Sequence, residues 1–248
     1  MIHWIPLGRA PIPGTQQDLC LYRRGHELEF SIKISGYISE LMNSTMHASE
    51  DALAQLGCAA IAGRPAPHVL VGGLGMGFTL AAALKTLGPD SVVTVAELVP
   101  EVVEWNKGPL GECAAFPLSD PRTRVHVGDV GQLLRQGHAT YDAVLLDVDN
   151  GPEGMTHHGN DWLYSPAGLA ATQRTLKPGG VLAVWSATPD ARFTRRLQQA
   201  GFQVEVREVR AQPGRGPHHT IWLAHQTPGA APTRTGASRR RGRPGARS

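Results

Sequence analysis

The stretch Val69-Leu70-Val71-Gly72-Gly73-Leu74-Gly75-Met76-Gly77-Phe78-Thr79, followed by Val92-Val93-Thr94-Val95-Ala96-Glu97, decides how this chain folds. An apolar run stops at glycines 73, 75 and 77. A helix-like segment, Phe78 to Leu87, comes next and is closed by Gly88. A second apolar run then ends in Glu97, 24 residues after Gly73. This is the order of a nucleotide-binding βαβ unit. Glycines let the backbone approach the ligand, the helix N-terminus offers free N–H groups, and a carboxylate at the next strand end accepts ribose hydroxyls. A dinucleotide site of the form G-x-G-x-x-G would need glycine where this chain has Phe78. The G-x-G-x-G pattern favours S-adenosylmethionine or a relative, which has no pyrophosphate to cradle.

Working outward, strands and helices alternate. Strands are expected at 68–73, 91–97, 123–128, 141–147, 180–186, 202–210 and 219–225, and helices at 77–87, 100–107, 130–136, 165–176 and 189–200. Pro100, Pro166 and Pro189 are read as first-turn residues of helices. Lys177-Pro178-Gly179-Gly180 is read as closing one helix and opening the next strand. Only Gln212 to Pro217 separates the last two strands, so they should pair antiparallel at one edge. Alternating βα units imply a largely parallel sheet covered on both faces. The expected fold is α/β: a Rossmann-like class I methyltransferase fold with a mostly parallel seven-stranded sheet and an antiparallel edge pair. A small β meander should precede it. Glu27 to Ile34 alternates polar and apolar with period two, as a half-exposed strand does. The runs Leu19–Arg24, Glu27–Ser35 and Tyr37–Met42, turning at Gly25 and Gly36, form that meander. Residues 1–16 read as irregular. Ser49 to Ile61 reads as a helix with Ser49 as N-cap and Glu50 and Asp51 in its first turn.

The division expected is 1–45 for the irregular start and meander, 46–227 for an adenosyl-binding transferase domain and 228–248 for a disordered tail. That tail explains a misleading charge. Six arginines and no acid lie in 233–248, so without them the formal net charge of +3 becomes −3 for the body. A segment so poor in apolar residues does not fold by itself. Nucleic acid is an unlikely partner, apart from nonspecific attraction to this tail. No apolar run reaches the ~20 residues a membrane span needs. Met1-Ile2-His3-Trp4 does not read as a signal peptide. Cys20, Cys58 and Cys113 are scattered, without a C-x-x-C pair, and point to reduced thiols in a cytoplasmic protein.

In an open α/β sheet, ligands bind beyond the carboxyl ends of the strands, where strand order reverses. That rule selects Gly73, Gly75 and Gly77 after strand one, Glu97 and Leu98 after strand two, and Gly128 and Asp129 after strand three. Glu97 suits the ribose diol. Asp129 suits the exocyclic amine of adenine, or a helix N-cap, or both. Asp147 and Asp149 follow the apolar strand Tyr141 to Leu146. Two carboxylates there can bind an ammonium group, and one can take a proton from an attacking amine. His157 and His158, near Asp161 and Trp162, read as solvated loop residues over the mouth; no metal is expected, because no third ligand has suitable spacing.

These segments, together with Val99 to Val103, Asp120-Pro121-Arg122, Leu163-Tyr164-Ser165 and Leu176 to Gly180, resemble the spermidine/spermine synthase family across roughly residues 19–225. The resemblance implies a decarboxylated S-adenosylmethionine donor and aminopropyl transfer to an amine, with Glu97 on the ribose, Asp129 on the adenine and Asp147 near the nucleophilic nitrogen. Three features depart from the family. Its Tyr-His-Glu run should lie near 53–56, which read Leu53-Ala54-Gln55-Leu56. Its acid within the glycine run is replaced by Gly75. Its Asp-Ser-Ser-Asp-Pro loop is shortened to Asp147-Val148-Asp149-Asn150-Gly151-Pro152. The nucleoside side thus carries over and the acceptor side is altered. The expected partners are a small-molecule amine or other nucleophile and, as an option, a second copy in a homodimer. The alternatives are a small-molecule methyltransferase using S-adenosylmethionine and a noncatalytic adenosyl-binding protein.

Overall fold

A computed structural model describes residues 3–26, 29–36, 40–148 and 161–226. Strands β5 (His68–Gly72), β6 (Val92–Glu97), β7 (Thr123–Val127), β8 (Tyr141–Leu146) and β9 (Leu176–Ser186) run parallel, and β10 (Phe202–Gln212) and β11 (Arg215–Gln226) complete a seven-stranded sheet in the order β10-β11-β9-β8-β5-β6-β7. β11 is antiparallel to both neighbours. This is the Rossmann-like arrangement with an antiparallel edge pair. The order turns back at β5, which has β6 on one side and β8 on the other, so the crevice opens there.

Period-two side-chain alternation assigns the strand residues to two layers. Val69, Val71, Val95, Ala143, Leu145, Ala183 and Ile221 face one core, while Leu70, Val144, Leu146, Leu182 and Trp222 face the other. The second core takes α4 (Val130–Gln136), α6 (Pro166–Thr175) and α7 (Ala191–Gln199) through Leu134, Leu169, Phe193 and Leu197. The first takes α1 (Ala48–Ala59), α2 (Phe78–Thr86) and α3 (Pro100–Lys107). Gly57 lets α1 lie close on the sheet; a Cβ there would stand 2.3 Å from Leu145 Cδ2. A short helix α5, Asp161–Tyr164, precedes α6. No helix among the described residues is long and apolar enough to cross a membrane.

The N-terminal part is a four-stranded antiparallel sheet, β1 (Trp4–Pro11), β2 (Asp18–Arg24), β3 (Phe30–Ile34) and β4 (Glu40–Asn43). The expected irregular start is therefore corrected: half of it, Trp4–Pro11, is strand β1. Pro6 and Pro11 obscured it, but β1 is an edge strand, where a missing N–H is tolerated. Its register shifts between Pro6 and Gly8, and Gly8 packs against Trp105 of α3.

Other boundaries move for local reasons. Ser49 is not the N-cap of α1. His47 holds that position without a side-chain cap bond, and Ser49 is buried one residue inside the helix. Pro189 lies ahead of α7, whose N-cap is Asp190; its carboxylate accepts from the N–H groups of Arg192 and Phe193 at 2.7 and 3.0 Å. Lys177 to Gly180 belong to β9 rather than preceding it, and the hairpin of β10 and β11 extends into the expected loop.

Candidate active site

One cavity sits at the carboxyl ends of β5, β6, β7 and β8, under the N-terminal sheet. Gly73, Gly75, Glu97, Leu98, Gly128, Asp129 and Asp147 all line it. The fold thus brings together seven of the nine residues singled out from sequence. Gly77 does not line it; it is the left-handed N-cap of α2, at φ 86°. Asp149 and the two loop histidines at 157 and 158 lie outside the described residues.

Gly73 is where the crevice closes most tightly. Its φ is 90°, and a Cβ would stand 2.2 Å from the Asp147 carbonyl oxygen, so only glycine fits. The strand ends are held together by Asp147 N–H donating to Gly72 O at 2.8 Å and Gly73 N–H donating to Ala96 O at 2.9 Å. Asn106 of α3, which sequence reading passed over, braces the loop from behind. Its amide donates to Gly75 O at 2.8 Å and Val102 O at 2.9 Å.

Glu97 is buried, and both carboxylate oxygens are fixed by backbone. Leu74 N–H donates to Oε2 at 3.0 Å and Val99 N–H to Oε1 at 2.8 Å. Burial raises its pKa, partly offset by these N–H donors. Each oxygen keeps acceptor capacity on its cavity side. Asp129 is the N-cap of α4, accepting from Gly131 N–H at 2.8 Å, and Arg135 lies 3.3 Å away. The cap role and the cavity position coexist.

Asp147 accepts from Thr79 Oγ at 2.5 Å. A second acid that sequence reading did not place here, Glu50 of α1, lines the same cavity. Burial, reinforced by the Asp147 charge, pushes Glu50 well above the usual carboxylate range, and burial likewise raises Asp147. Two carboxylates lining one cavity offer a site for a proton or a cation. Ser49 Oγ donates to Glu50 at 2.5 Å. The remaining wall is largely apolar, with Asn43 of β4 as a polar member: Leu19, Ile32, Ile34, Leu41 and Met42 come from the N-terminal sheet, Ile12 from just after β1, and Trp185 from β9. Phe78, which also lines the cavity, stacks on His47, with ring centroids 4.1 Å apart. Glu50 carried a faint sequence signal, an acid in a first helical turn, but nothing in the sequence aimed it at β8. No cluster with metal-ligating composition occurs among the described residues.

Comparison with known proteins bears on the family and the fold. The family model for the spermine/spermidine synthase domain matches residues 46–199. This chain belongs to the spermine/spermidine synthase family. Among curated members, it is 30% identical over 148 residues to a polyamine aminopropyltransferase of Mycobacterium tuberculosis, a match covering 56% of this chain and 27% of that protein. It is 30% identical over 118 residues to the polyamine aminopropyltransferase of Korarchaeum cryptofilum, covering 48% and 35%. The chain thus matches only about a third or less of the length of these family members. Among solved structures, spermidine synthase from Thermotoga maritima superposes with a TM-score of 0.68 at 17% identity, covering 90% of this chain and 72% of that one. The O-methyltransferase TomG from Streptomyces achromogenes gives a TM-score of 0.51 at 17% identity, covering 73% and 80%. Likeness at such identity shows the shared fold.

Proposed function

We propose that this protein is a transferase that moves an aminopropyl group from decarboxylated S-adenosylmethionine to an amine. The observation that carries the reading is the pairing of Glu50 and Asp147 in the same cavity as Glu97 and Asp129. Glu97 would hold the ribose hydroxyls and Asp129 the adenine amine. The glycine loop of Gly73 and Gly75, with Leu98 and Gly128, would pass close to the nucleoside. Family membership and the polyamine aminopropyltransferase relatives support the same donor and acceptor classes.

On this reading the chemistry is mostly positioning. The sulfonium donor is already activated, so the protein has to present an uncharged nitrogen in line with the carbon to be attacked. An ammonium entering between Glu50 and Asp147 is attracted by charge and then gives up a proton. Asp147, oriented by Thr79, would stand nearest the nucleophile. The apolar wall excludes water that would compete. Asp149 would take part in acceptor binding.

The test is to titrate the purified protein with decarboxylated S-adenosylmethionine, S-adenosylmethionine and 5′-methylthioadenosine, and then to assay transfer to a panel of di- and triamines. Tighter binding of the decarboxylated donor, with turnover, is expected. Preference for S-adenosylmethionine with methylated products would move the assignment to a methyltransferase. Nucleoside binding without turnover on any nucleophile would move it to a binding protein. Asp147→Asn should cut the transfer rate by ~10²–10⁴-fold while leaving 5′-methylthioadenosine affinity nearly unchanged.

A further inference from the structure

We propose that Ser49 and His219 form a relay that carries a proton from Glu50 out of the cavity along the seam between α1 and β11. The inference rests on the aminopropyl-transfer reading, because that reaction liberates a proton inside the cavity. An acceptor R–NH3⁺ has no lone pair and must lose one proton before it attacks. Its nitrogen lone pair then forms the new N–C bond as the C–S bond breaks. The electron pair of that bond stays on sulfur, giving a neutral thioether, and the product nitrogen is a secondary ammonium. One proton per turnover therefore has to leave a pocket whose wall is largely apolar.

The geometry supplies a path. Ser49 is fully buried, and its hydroxyl does not cap α1. Instead it bonds two titratable side chains, Glu50 Oε2 at 2.5 Å and His219 Nδ1 at 2.8 Å. Glu50 lines the cavity, whereas His219, on β11, is partly exposed. The imidazole is held edge-on against Trp185, itself a cavity residue, with centroids 4.8 Å apart. One end of the array thus faces the reacting groups and the other reaches solvent. Serine and histidine meet here across 170 residues of sequence.

Each step balances. With Glu50 ionised, His219 Nδ1–H donates to Ser49 and the Ser49 hydroxyl donates to Glu50. Once Glu50 has taken the amine proton, the hydroxyl turns. His219, which is half-exposed, turns out to solvent, gives up its Nδ1 proton, takes one on Nε2 and turns back. Glu50 O–H then donates to Ser49, and Ser49 O–H donates to the now unprotonated Nδ1. Shifting both protons along these bonds restores the carboxylate and leaves an imidazolium, which releases its Nε2 proton to water. Burial with the Asp147 charge raises the Glu50 pKa, so the proton taken from the amine is held there. Burial keeps the His219 pKa below the ordinary imidazole range, so the imidazolium is a short-lived carrier that sheds its Nε2 proton to water.

The experiment uses the full chain with decarboxylated S-adenosylmethionine and putrescine as the probe acceptor. Ser49→Ala and His219→Ala are each expected to lower kcat by about tenfold or more. KM for both substrates, affinity for 5′-methylthioadenosine and Tm should stay near native. Added imidazole should restore turnover to His219→Ala and not to Ser49→Ala. His219→Asn keeps a partner for the Ser49 hydroxyl but cannot carry a proton, so it should be as slow as the alanine variant; if it turns over like the native protein, His219 only positions Ser49 and the relay is wrong. Native kcat in His219→Ala, or no response to imidazole, also overturns it. A native protein that binds both probes yet transfers nothing removes the transfer reading and the relay together, which separates that failure from a relay defect in an active enzyme.

Discussion

Two acids with opposite energetics show what burial does to single residues. Asp142, at the start of β8, is buried, which alone would raise its pKa. Lys177 Nζ at 2.7 Å, His68 N–H at 2.8 Å and Arg64 Nη1 at 2.8 Å overcome that and hold it below the usual carboxylate range. Its stabilisation is complete above the unfolded value of ~3.9 and is lost as pH falls through the depressed folded value. Asp142→Ala should cost about 1–3 kcal/mol at pH 7, the lower part of that range because both cations are partly exposed; urea denaturation at pH 7 and pH 3 checks it, the difference shrinking in acid. Glu50 carries the opposite sign. Its folded pKa is raised, so ionising it destabilises the fold at pH values above the unfolded ~4.3. Glu50→Gln should raise Tm at pH 8, and that gain should vanish as pH approaches 4, while amine affinity is lost. Cys58 is a third case: burial pushes its thiol up to about 12. It should resist iodoacetamide at pH 8 in the native state and react in urea, read by mass spectrometry.

At the scale of elements, the join between β5 and β8 is tightly constrained. Gly73 combines a left-handed φ of 90° with the Asp147 carbonyl oxygen only 2.2 Å from where a Cβ would go. Backbone on the other side cannot turn away as a side chain could. Gly73→Ala should therefore destabilise the protein by more than about 2 kcal/mol, counting steric overlap and backbone strain, and should abolish 5′-methylthioadenosine binding; calorimetry and a binding titration read both. Strand β1 teaches a different lesson. Its prolines and glycine argue against a strand when read locally, yet an edge position, a register shift and Trp105 across from Gly8 accommodate them. Helix α7 shows the ordinary case, in which Asp190 caps the helix and Phe193 and Leu197 bury one stripe.

For the whole molecule, the two sheets share one core. Leu21, Phe30 and Ile32 of the N-terminal sheet belong to the same buried cluster as Val71, Val95 and Leu145 of the large sheet. Neither sheet keeps its apolar face dry without the other. Unfolding should accordingly be a single cooperative transition, with tryptophan fluorescence and far-ultraviolet circular dichroism giving coincident urea curves; separated midpoints would show that the sheets unfold independently. The same packing makes the N-terminal sheet a wall of the cavity, through Leu19, Ile32 and Ile34.

By itself the sequence determined the order of strands and helices from β5 onward except the short α5, the glycine turn, and the acids that end β6, β7 and β8. Each of these is a local signal: an apolar run, a residue type that fits a left-handed turn, a carboxylate at a strand end. The topological rule for α/β sheets then puts those ends on one edge, which is why Gly73, Glu97, Asp129 and Asp147 could be expected in one place. What only the tertiary structure decided was everything that depends on residues distant in sequence approaching one another. Glu50 reads as an ordinary first-turn acid, and becomes a cavity group only because α1 packs on the face of the sheet beside the end of β8. Ser49 reads as a cap, and is instead buried against His219. Gly77 reads as part of a ligand loop, and is turned away from the cavity as the left-handed N-cap of α2. Local periodicity carries the helices and strands, but the pKa of a carboxylate and the partner of a hydroxyl are set by long-range packing, which no local pattern encodes.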